Sequence, residues 1–335
     1  MQALQLDAIH QPVAVRDVPM PTPGPGEILV KLHAAALNHR DVFIQQGKYA
    51  GIKLPCTLGA DGAGEVAAHG SGVPADAPAV GARVLINPGL HWGDNPRAQA
   101  RAFVVLGMPD PGTFAEYIAL PAQYIRPLPA HLSFVEGAAL PLAGLTAYRA
   151  AFTRAQVQPG ERVLVTGVGG GVAITAVQLC VARGAEVWVT SSSEEKIARA
   201  QALGAKGGIS YNAENWVKTL IQQAGGTFDV IIDSAAGPAF GALLDAATPG
   251  GRIVFFGGTL GNIPDVPPAK VFWKQLSILG STMGTEQDFE DLLALVTEKK
   301  LVPVIDKIFP LAEGEAALRR LDAGAQFGKV VLKIS

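Results

Sequence analysis

Between Arg162 and Thr190 the chain reads RVLVTGVGGGVAITAVQLCVARGAEVWVT: an apolar run, a cluster of glycines, an apolar stretch long enough for a helix, and a second apolar run. That order spells strand, turn, helix, strand within about 30 residues. A turn at the carboxyl end of a strand gathers backbone N–H groups beside a helix N-terminus, where the helix dipole favours negative charge, so its chemistry is the holding of a phosphate or pyrophosphate. Gly167, Gly169, Gly170, Gly171 and Val172 make up the candidate cradle. Glycine at 167 and 170 permits a tight turn and close backbone approach, and the small Ala173 lets the helix pack on the strand. Val172 fills the last glycine slot of a strict G-x-G-x-x-G, so the pattern met is G-x-x-G-x-x-A.

Which dinucleotide such a turn would take is decided at the end of the second strand. An acidic side chain there would bond the adenosine 2′-hydroxyl and repel a 2′-phosphate. None is present. The segment VTSSSEEK offers the hydroxyls of Ser191, Ser192 and Ser193 and, one turn on, the cation of Lys196, a set suited to a phosphate. Glu194 and Glu195 read as solvated charges in the first turn of the next helix. The expected cofactor is therefore NADP(H) rather than NAD(H), with plain helix capping as the other use for the serines. Ser234, after the run FDVIID, and Phe256 with Gly257, in FFGG, end further strands and fall where ligands bind open parallel sheets. Tyr211 closes another such strand and is expected near the adenine end or the 2′-phosphate.

These residues need elements to position them. At 335 residues the chain has length for about two domains. From about residue 160 apolar strands alternate with helical patterns, which requires a parallel sheet covered on both faces. Strands are predicted at Arg162–Thr166, Glu186–Thr190, Gly208–Tyr211, Phe228–Asp233, Arg252–Phe256 and near Leu276–Leu279, and helices at Glu194–Leu203 and Gln287–Lys299. In the last of these Phe289, Leu292, Leu293 and Val296 share one face and read as core. Before residue 125 the chain is short strands between Pro and Gly: Ile28, Val30 and Leu32 alternate with polar neighbours, and Arg83–Ile86 and Tyr117–Leu120 are further runs, so a small irregular barrel or sandwich is expected. The terminal KVVLKIS returns to strand character and is expected to close onto that first domain.

Composition narrows the classes of function. Lys and Arg number 27 against 29 Asp and Glu, which argues against the one-sided basic surface of a nucleic-acid binder. Cys56 and Cys180 are the only cysteines, too few for a disulfide framework or a four-cysteine zinc site. The opening MQALQLDAIH has neither a basic flank nor an apolar core, and no long uncharged apolar stretch follows, so neither export nor membrane insertion is signalled and a cytoplasmic location is expected.

The order PGPGEILVKLHAAALNHRDV, LGADGAGEV, VGARV, GTFAEY, PLAGLTAY, glycine turn and FGKVVL resembles the medium-chain dehydrogenase/reductase superfamily over nearly the whole chain, and within it the zinc-free quinone oxidoreductase and enone reductase branch. The resemblance implies an α/β fold, a Rossmann doubly wound parallel sheet plus a GroES-like irregular β-barrel. The substrate domain would be 1–127 completed by 303–335, and the dinucleotide domain 128–302. It implies that zinc-dependent members bind their metal at the places held here by Asn38, by Ala60 with Asp61, and by Leu142 or Ala143. Asp61 and the nearby His39 cannot supply the three protein ligands usual for catalytic zinc, so no metal site is expected. The stretch matching the structural zinc lobe, Asn87 to Pro111, has no cysteine. The same resemblance makes Asn38 a donor near the nicotinamide and the substrate oxygen, Tyr49 a pocket phenol or proton relay, and Thr146 and Lys329 cofactor contacts. Asp41 would anchor its loop, Arg40 would reach cofactor phosphate or solvent, and the chain would pair as a homodimer through the strand near Leu276–Leu279.

Lacking a metal to stabilise an alkoxide, such a site suits hydride delivery to a conjugated double bond, with fixed dipoles holding the enolate. The expected activity is NADPH-dependent reduction of quinones or α,β-unsaturated carbonyls, with a small-molecule substrate and neither nucleic acid nor membrane as partner. A metal-free alcohol or ketone oxidoreductase and a non-catalytic NADPH-binding sensor or structural protein are the alternatives.

Overall fold

The computed structural model describes residues 1–334. The chain begins with β1 (Gln2–Leu6), β2 (Ala14–Asp17), β3 (Glu27–Ala36), α1 (His39–Gln45), β4 (Cys56–Thr57), β5 (Asp61–His69), β6 (Arg83–Ile86), β7 (Gly89–Leu90), β8 (Val104–Val105), β9 (Tyr117–Pro121), β10 (Ile125–Pro127) and α2 (Phe134–Ala139). Ile28, Val30 and Leu32 of β3 are wholly buried and Lys31 is exposed, but Leu29 is buried as well, so the expected alternation holds on one side of Val30 only. The apolar face so formed packs with Val84, Ile86, Ile118 and Tyr124.

The middle of the chain, Ala143–Gly284, is a compact unit of its own and begins inside α3 (Pro141–Tyr148). Strand and helix alternate as β11 (Arg162–Val165), α4 (Gly171–Ala182), β12 (Glu186–Ser191), α5 (Glu194–Ala202), β13 (Gly207–Ser210), α6 (Trp216–Ala224), β14 (Phe228–Asp233), α7 (Phe240–Ala246), β15 (Ala247–Phe255), α8 (Pro268–Trp273) and β16 (Ser277–Gly280). The strands run parallel in the order β13-β12-β11-β14-β15-β16. Because β11 has β12 on one side and β14 on the other, the order reverses beside it, and the carboxyl ends of β11 and β14 form the crevice where open α/β sheets bind ligands.

The tail, α9 (Glu286–Lys299), β17 (Ile305–Pro310), α10 (Gly314–Asp322) and β18 (Lys329–Lys333), belongs to the first unit, which consists of Met1–Leu142 and the chain from Thr285 on. As expected, the terminal strand closes the first unit: β18 pairs antiparallel with β3 in a sheet of order β10-β6-β5-β3-β18-β17, with β9 also on β3. The expected boundaries at 127/128 and 302/303 fall differently. Residues 128–142 and 285–302 are tied to the first unit through Arg83 Nη2 donating to Leu132 O at 2.6 Å, the His131 ring on Leu301 O at 3.0 Å and the Arg126–Glu290 ion pair. Phe289, Leu292, Leu293 and Val296 are buried on one face of α9. Among the described residues no helix is long and apolar enough to cross a membrane.

Candidate active site

In the middle unit the glycine turn follows β11 directly. Gly167 stands at φ +66° and Gly169 at +137°, conformations costly for a residue with a Cβ. A Cβ on Gly167 would lie 2.6 Å from Ser234 Oγ, so the bare Cα is needed for space as well as for angle. The turn is pinned from its neighbours: Val168 N donates to Thr190 O at 2.8 Å and Gly167 N to Thr190 Oγ1 at 3.4 Å. Gly170 is the N-cap of α4 and brings no side chain to its end. The first-turn N–H groups, from Gly171 and Val172 onward, have no intrahelical acceptor in an α-helix, so the twelve-residue α4 ends in open donors with its dipole behind them. Ala173 is buried against the sheet. These are the properties a dinucleotide pyrophosphate needs, and the residues fit that group.

The other cofactor candidates of this unit lie on the same carboxyl edge, with unequal freedom. Ser192 is exposed and Lys196 half-buried at the start of α5, whose N-cap is Ser193. Tyr211 is 43% exposed, its N–H donating to Ser191 O. Ser191 is 2% exposed and its hydroxyl donates to Val168 O at 2.9 Å, so it builds the turn instead of presenting an open donor. Ser234 likewise donates to Thr166 O at 3.1 Å. Phe256 N reaches Asp233 O, and a Cβ on Gly257 would collide with Ser234 O, so close packing alone requires that glycine. Asp233 accepts from Thr166 Oγ1 at 2.6 Å and Ala236 N at 2.7 Å; burial outweighs these donors and holds its pKa above the ordinary value. Thr146, on α3, is buried with its hydroxyl 3.8 Å from Met283 Sδ.

In the first unit β3, β5 and β18 bring Asn38, Asp61 and Lys329 together. Lys329, expected as a cofactor contact, is 4% exposed, and its three N–H donors are matched by Asn38 Oδ1 at 2.6 Å, Leu37 O at 2.8 Å and Asp61 Oδ2 at 2.9 Å. Its order comes from its own unit. Asn38 Nδ2 donates to the same Asp61 Oδ2 at 2.9 Å, and its second N–H meets only Ala36 O at 3.5 Å. Asp61 is fully buried, and its Oδ1 accepts from Leu142 N at 2.7 Å. Below this cluster Asp41 takes the Asn38 N–H at 2.8 Å, while its Oδ1 is buried without a hydrogen-bond partner. Burial pushes the Asp41 pKa up to about 6, against the pull of Arg40 and of the Asn38 hydrogen bond. His39 opens α1 with part of its ring in solvent; its packed surroundings, then the Lys329 ammonium, hold it below the usual imidazole value.

Arg40 is half-buried and bonded within its own unit. Its guanidinium donates to Leu106 O at 2.6 Å and Val105 O at 3.1 Å, and lies 4.9 Å from the centre of the Tyr49 ring with Nε 3.4 Å from the phenol oxygen. It thereby ties Tyr49 to the stretch that matches the structural zinc lobe. Cys56 and Cys180 are buried thiols, pushed up to about 11 and about 12 by burial, which disfavours the reactive thiolate at neutral pH.

A parallel sheet with an open glycine turn at its switch point defines a dinucleotide-binding protein, and the comparisons carry the class further. The "Zinc-binding dehydrogenase" family profile matches residues 171–298 and the "Alcohol dehydrogenase GroES-like domain" profile matches 24–130. A zinc-type alcohol dehydrogenase-like protein, YogA, of Leptosphaeria maculans is 35% identical, covering 97% of this chain and 96% of its own. An NAD-dependent alcohol dehydrogenase of Sulfurisphaera tokodaii is 28% identical over 99% of both. A crystal structure described as an NAD-dependent alcohol dehydrogenase superposes with a TM-score of 0.94 at 40% identity over all of both chains. The chain belongs to the zinc-type alcohol dehydrogenase-like part of the medium-chain dehydrogenase/reductase superfamily and is an oxidoreductase that uses a nicotinamide cofactor.

Zinc is the metal that the family's description implies, and the residues at the matching places do not fit it. Asn38 and Asp61 are bonded to a buried ammonium, Ala60 offers only a buried methyl, and Leu142 contributes an N–H. A divalent ion would have to displace a tethered cation from its own ligands. Among the described residues no group of three or more His, Cys, Asp or Glu is placed to hold a metal.

Proposed function

We propose that this oxidoreductase reduces quinones or α,β-unsaturated carbonyl compounds with NADPH and without a catalytic metal. The observation that carries the reading is the Lys329 ammonium bonded to Asn38 and Asp61, where zinc-dependent members of the superfamily would bring metal ligands. Bound reduced nicotinamide supplies a hydride. As charge moves onto the carbonyl oxygen of the acceptor, the N–H of Asn38 that is held only loosely by Ala36 O donates to it. Tyr49 accepts from Arg40 and so keeps its own O–H free to donate toward the substrate. The preference for NADPH is supported by the absence of an acid at the end of β12, with Ser192 and Lys196 beside it.

The test is a panel of quinones, enones, simple ketones and alcohols, assayed with NADPH and NADH after treatment with a chelator. Saturation of C=C or reduction of quinones is expected, with activity unchanged by chelation. A second reading, interconversion of simple ketones and alcohols, draws on the names of the relatives; turnover of those alone decides for it, and cofactor binding with no acceptor reduced decides for a sensor. Lys196→Ala is expected to weaken NADPH much more than NADH, and equal losses remove the 2′-phosphate assignment.

A homodimer is part of the same proposal. β16 ends its sheet, and just before it Phe272 and Trp273 of α8 are 57% and 80% exposed, apolar surface of the kind that a second copy covers. Sedimentation should show a dimer that Trp273→Glu weakens.

A further inference from the structure

The Lys329 ammonium is more than a replacement for surface charge, because its bonds leave the Asn38 amide only one orientation. An ammonium donates and cannot accept, and the carboxylate of Asp61 accepts and cannot donate. The carbonyl end of Asn38 therefore faces Lys329 and its amino end faces Asp61, and the flipped amide would lose both bonds. Leu37 O and Asp61 Oδ2 take the other two ammonium protons, so the cation cannot swing away. Leu142 N on Asp61 Oδ1 fixes the carboxylate in turn. Of all the donors in this buried cluster, one N–H of Asn38 is left with nothing better than a contact of 3.5 Å.

We propose that Lys329 is a positioning residue that acts through Asn38: it fixes the amide's orientation and, by bonding to Oδ1, draws electron density from the amide so that the remaining N–H becomes a stronger donor to a developing oxyanion. Hydrogen bonds in series polarise one another, the more so where solvent is excluded, and Lys329 and Asn38 are 4% and 8% exposed. The arrangement supplies positive polarisation to the substrate oxygen without placing the cation on it, and it selects acceptors whose charge builds up on a single carbonyl oxygen. The part concerning the substrate rests on the proposed reduction of conjugated carbonyls; the polarised amide does not.

Two readouts separate these levels. With the protein selectively labelled with ¹⁵N at asparagine, the Asn38 side-chain protons are assigned by their loss in Asn38→Ala. Their resonance should move upfield in Lys329→Met, and an unmoved resonance overturns the proposal whatever the substrate. In turnover, Lys329→Met should lower kcat for an enone by roughly a hundredfold, leave the Kd for NADPH within about twofold, and have no further effect in the Asn38→Ala background. A loss of NADPH affinity with kcat intact would make Lys329 a cofactor ligand, and an equal kcat loss in both backgrounds would make its role independent of Asn38; either outcome overturns the proposal. Ethylammonium or n-propylammonium should restore part of the activity of Lys329→Ala and none of that of Asn38→Ala. If Lys329→Met does not fold, Lys329→Gln, which keeps a neutral donor, takes its place under the same outcomes. If the wild type reduces no conjugated carbonyl, the functional reading fails and the asparagine resonance alone decides whether the amide is polarised.

Discussion

At the end of β11 the middle unit presents backbone N–H groups that its own fold leaves without acceptors, whereas around Lys329 in the first unit nearly every donor has been given one. The turn is made of main chain and depends on side chains being absent, with Gly167 at positive φ and Gly170, the N-cap of α4, bringing no side chain to the helix end. The cluster is made of side chains and depends on their charges being present together. An open set of dipoles can accept an anion and release it at each turnover, so its stability cost is small and its value lies in binding. A closed set of buried charges gives up exchange for fixed orientation, and it is expensive to disturb because no solvent stands by to compensate a missing partner.

The largest test of that contrast is to remove one charge from the closed set. Lys329→Met leaves the Asp61 carboxylate wholly buried without its cation, and unfolding should be easier by about 3–5 kcal/mol in chemical denaturation. The double variant Lys329→Met with Asp61→Leu should lose much less than the sum of the two single losses. Additive losses would mean that the charges are held independently and that the cluster is no unit.

Next in size is a pH effect from Asp41, which lies under the cluster. Its native pKa of about 6 stands above the ordinary 3.8. Between those values the native state binds more proton than the unfolded chain, so stability falls as pH rises through the interval, and above it the loss levels off at about 3 kcal/mol. Asp41→Asn should flatten the difference in denaturation midpoint between pH 4 and pH 7. A wild type whose stability rises across that range, relative to Asp41→Asn, would show a carboxylate stabilised as the anion instead.

On the open side the corresponding change is Gly167→Val. A β-branched residue at φ +66° carries backbone strain, and its Cβ would crowd Ser234 Oγ. NADPH should bind roughly ten- to a hundredfold more weakly, read by nucleotide fluorescence, whereas Lys329→Met should leave that affinity nearly unchanged. Swapped results would reverse the assignment of binding to one unit and fixed orientation to the other.

The two regions were unequally legible in the sequence, for a physical reason. The turn lies in one window of chain, and so do the strands around it: Phe228–Asp233 has the bounds read from its apolar run, β11 and β12 differ by a residue at one end, and β13 and β16 are shifted by a residue at each end. β15 starts earlier than expected, at Ala247, because the TPGG segment reads as a turn yet extends alongside β14 across a register shift. The buried face of α9 was visible from spacing alone. Lys329, by contrast, stands out only through the family resemblance, as a cofactor contact, and its place in this cluster is not legible, since its partners Asn38 and Asp61 lie 291 and 268 residues away and only the pairing of β18 with β3 brings them near. Local periodicity carries no trace of such a contact. The same holds for Arg40, whose acceptors, Val105 in β8 and Leu106 just after it, lie 65 and 66 residues away and are announced by nothing in its own neighbourhood.

Ser191 supplies the finest test, because the sequence offers it to the cofactor and the fold takes it for the turn. Its hydroxyl is buried on Val168 O at 2.9 Å and accepts weakly from Ser193 N at 3.4 Å, so it is already spent when a nucleotide arrives. Ser191→Ala removes one neutral hydrogen bond and should cost about 1 kcal/mol of stability. Any loosening of the turn should weaken NADPH and NADH alike, since both carry a pyrophosphate and the turn is the candidate cradle for it, so their affinity ratio should stay constant. A ratio that shifts toward NADH in Ser191→Ala, as Lys196→Ala is expected to produce, would place this hydroxyl on the 2′-phosphate and show that the open side of the molecule recruits side chains as well as backbone.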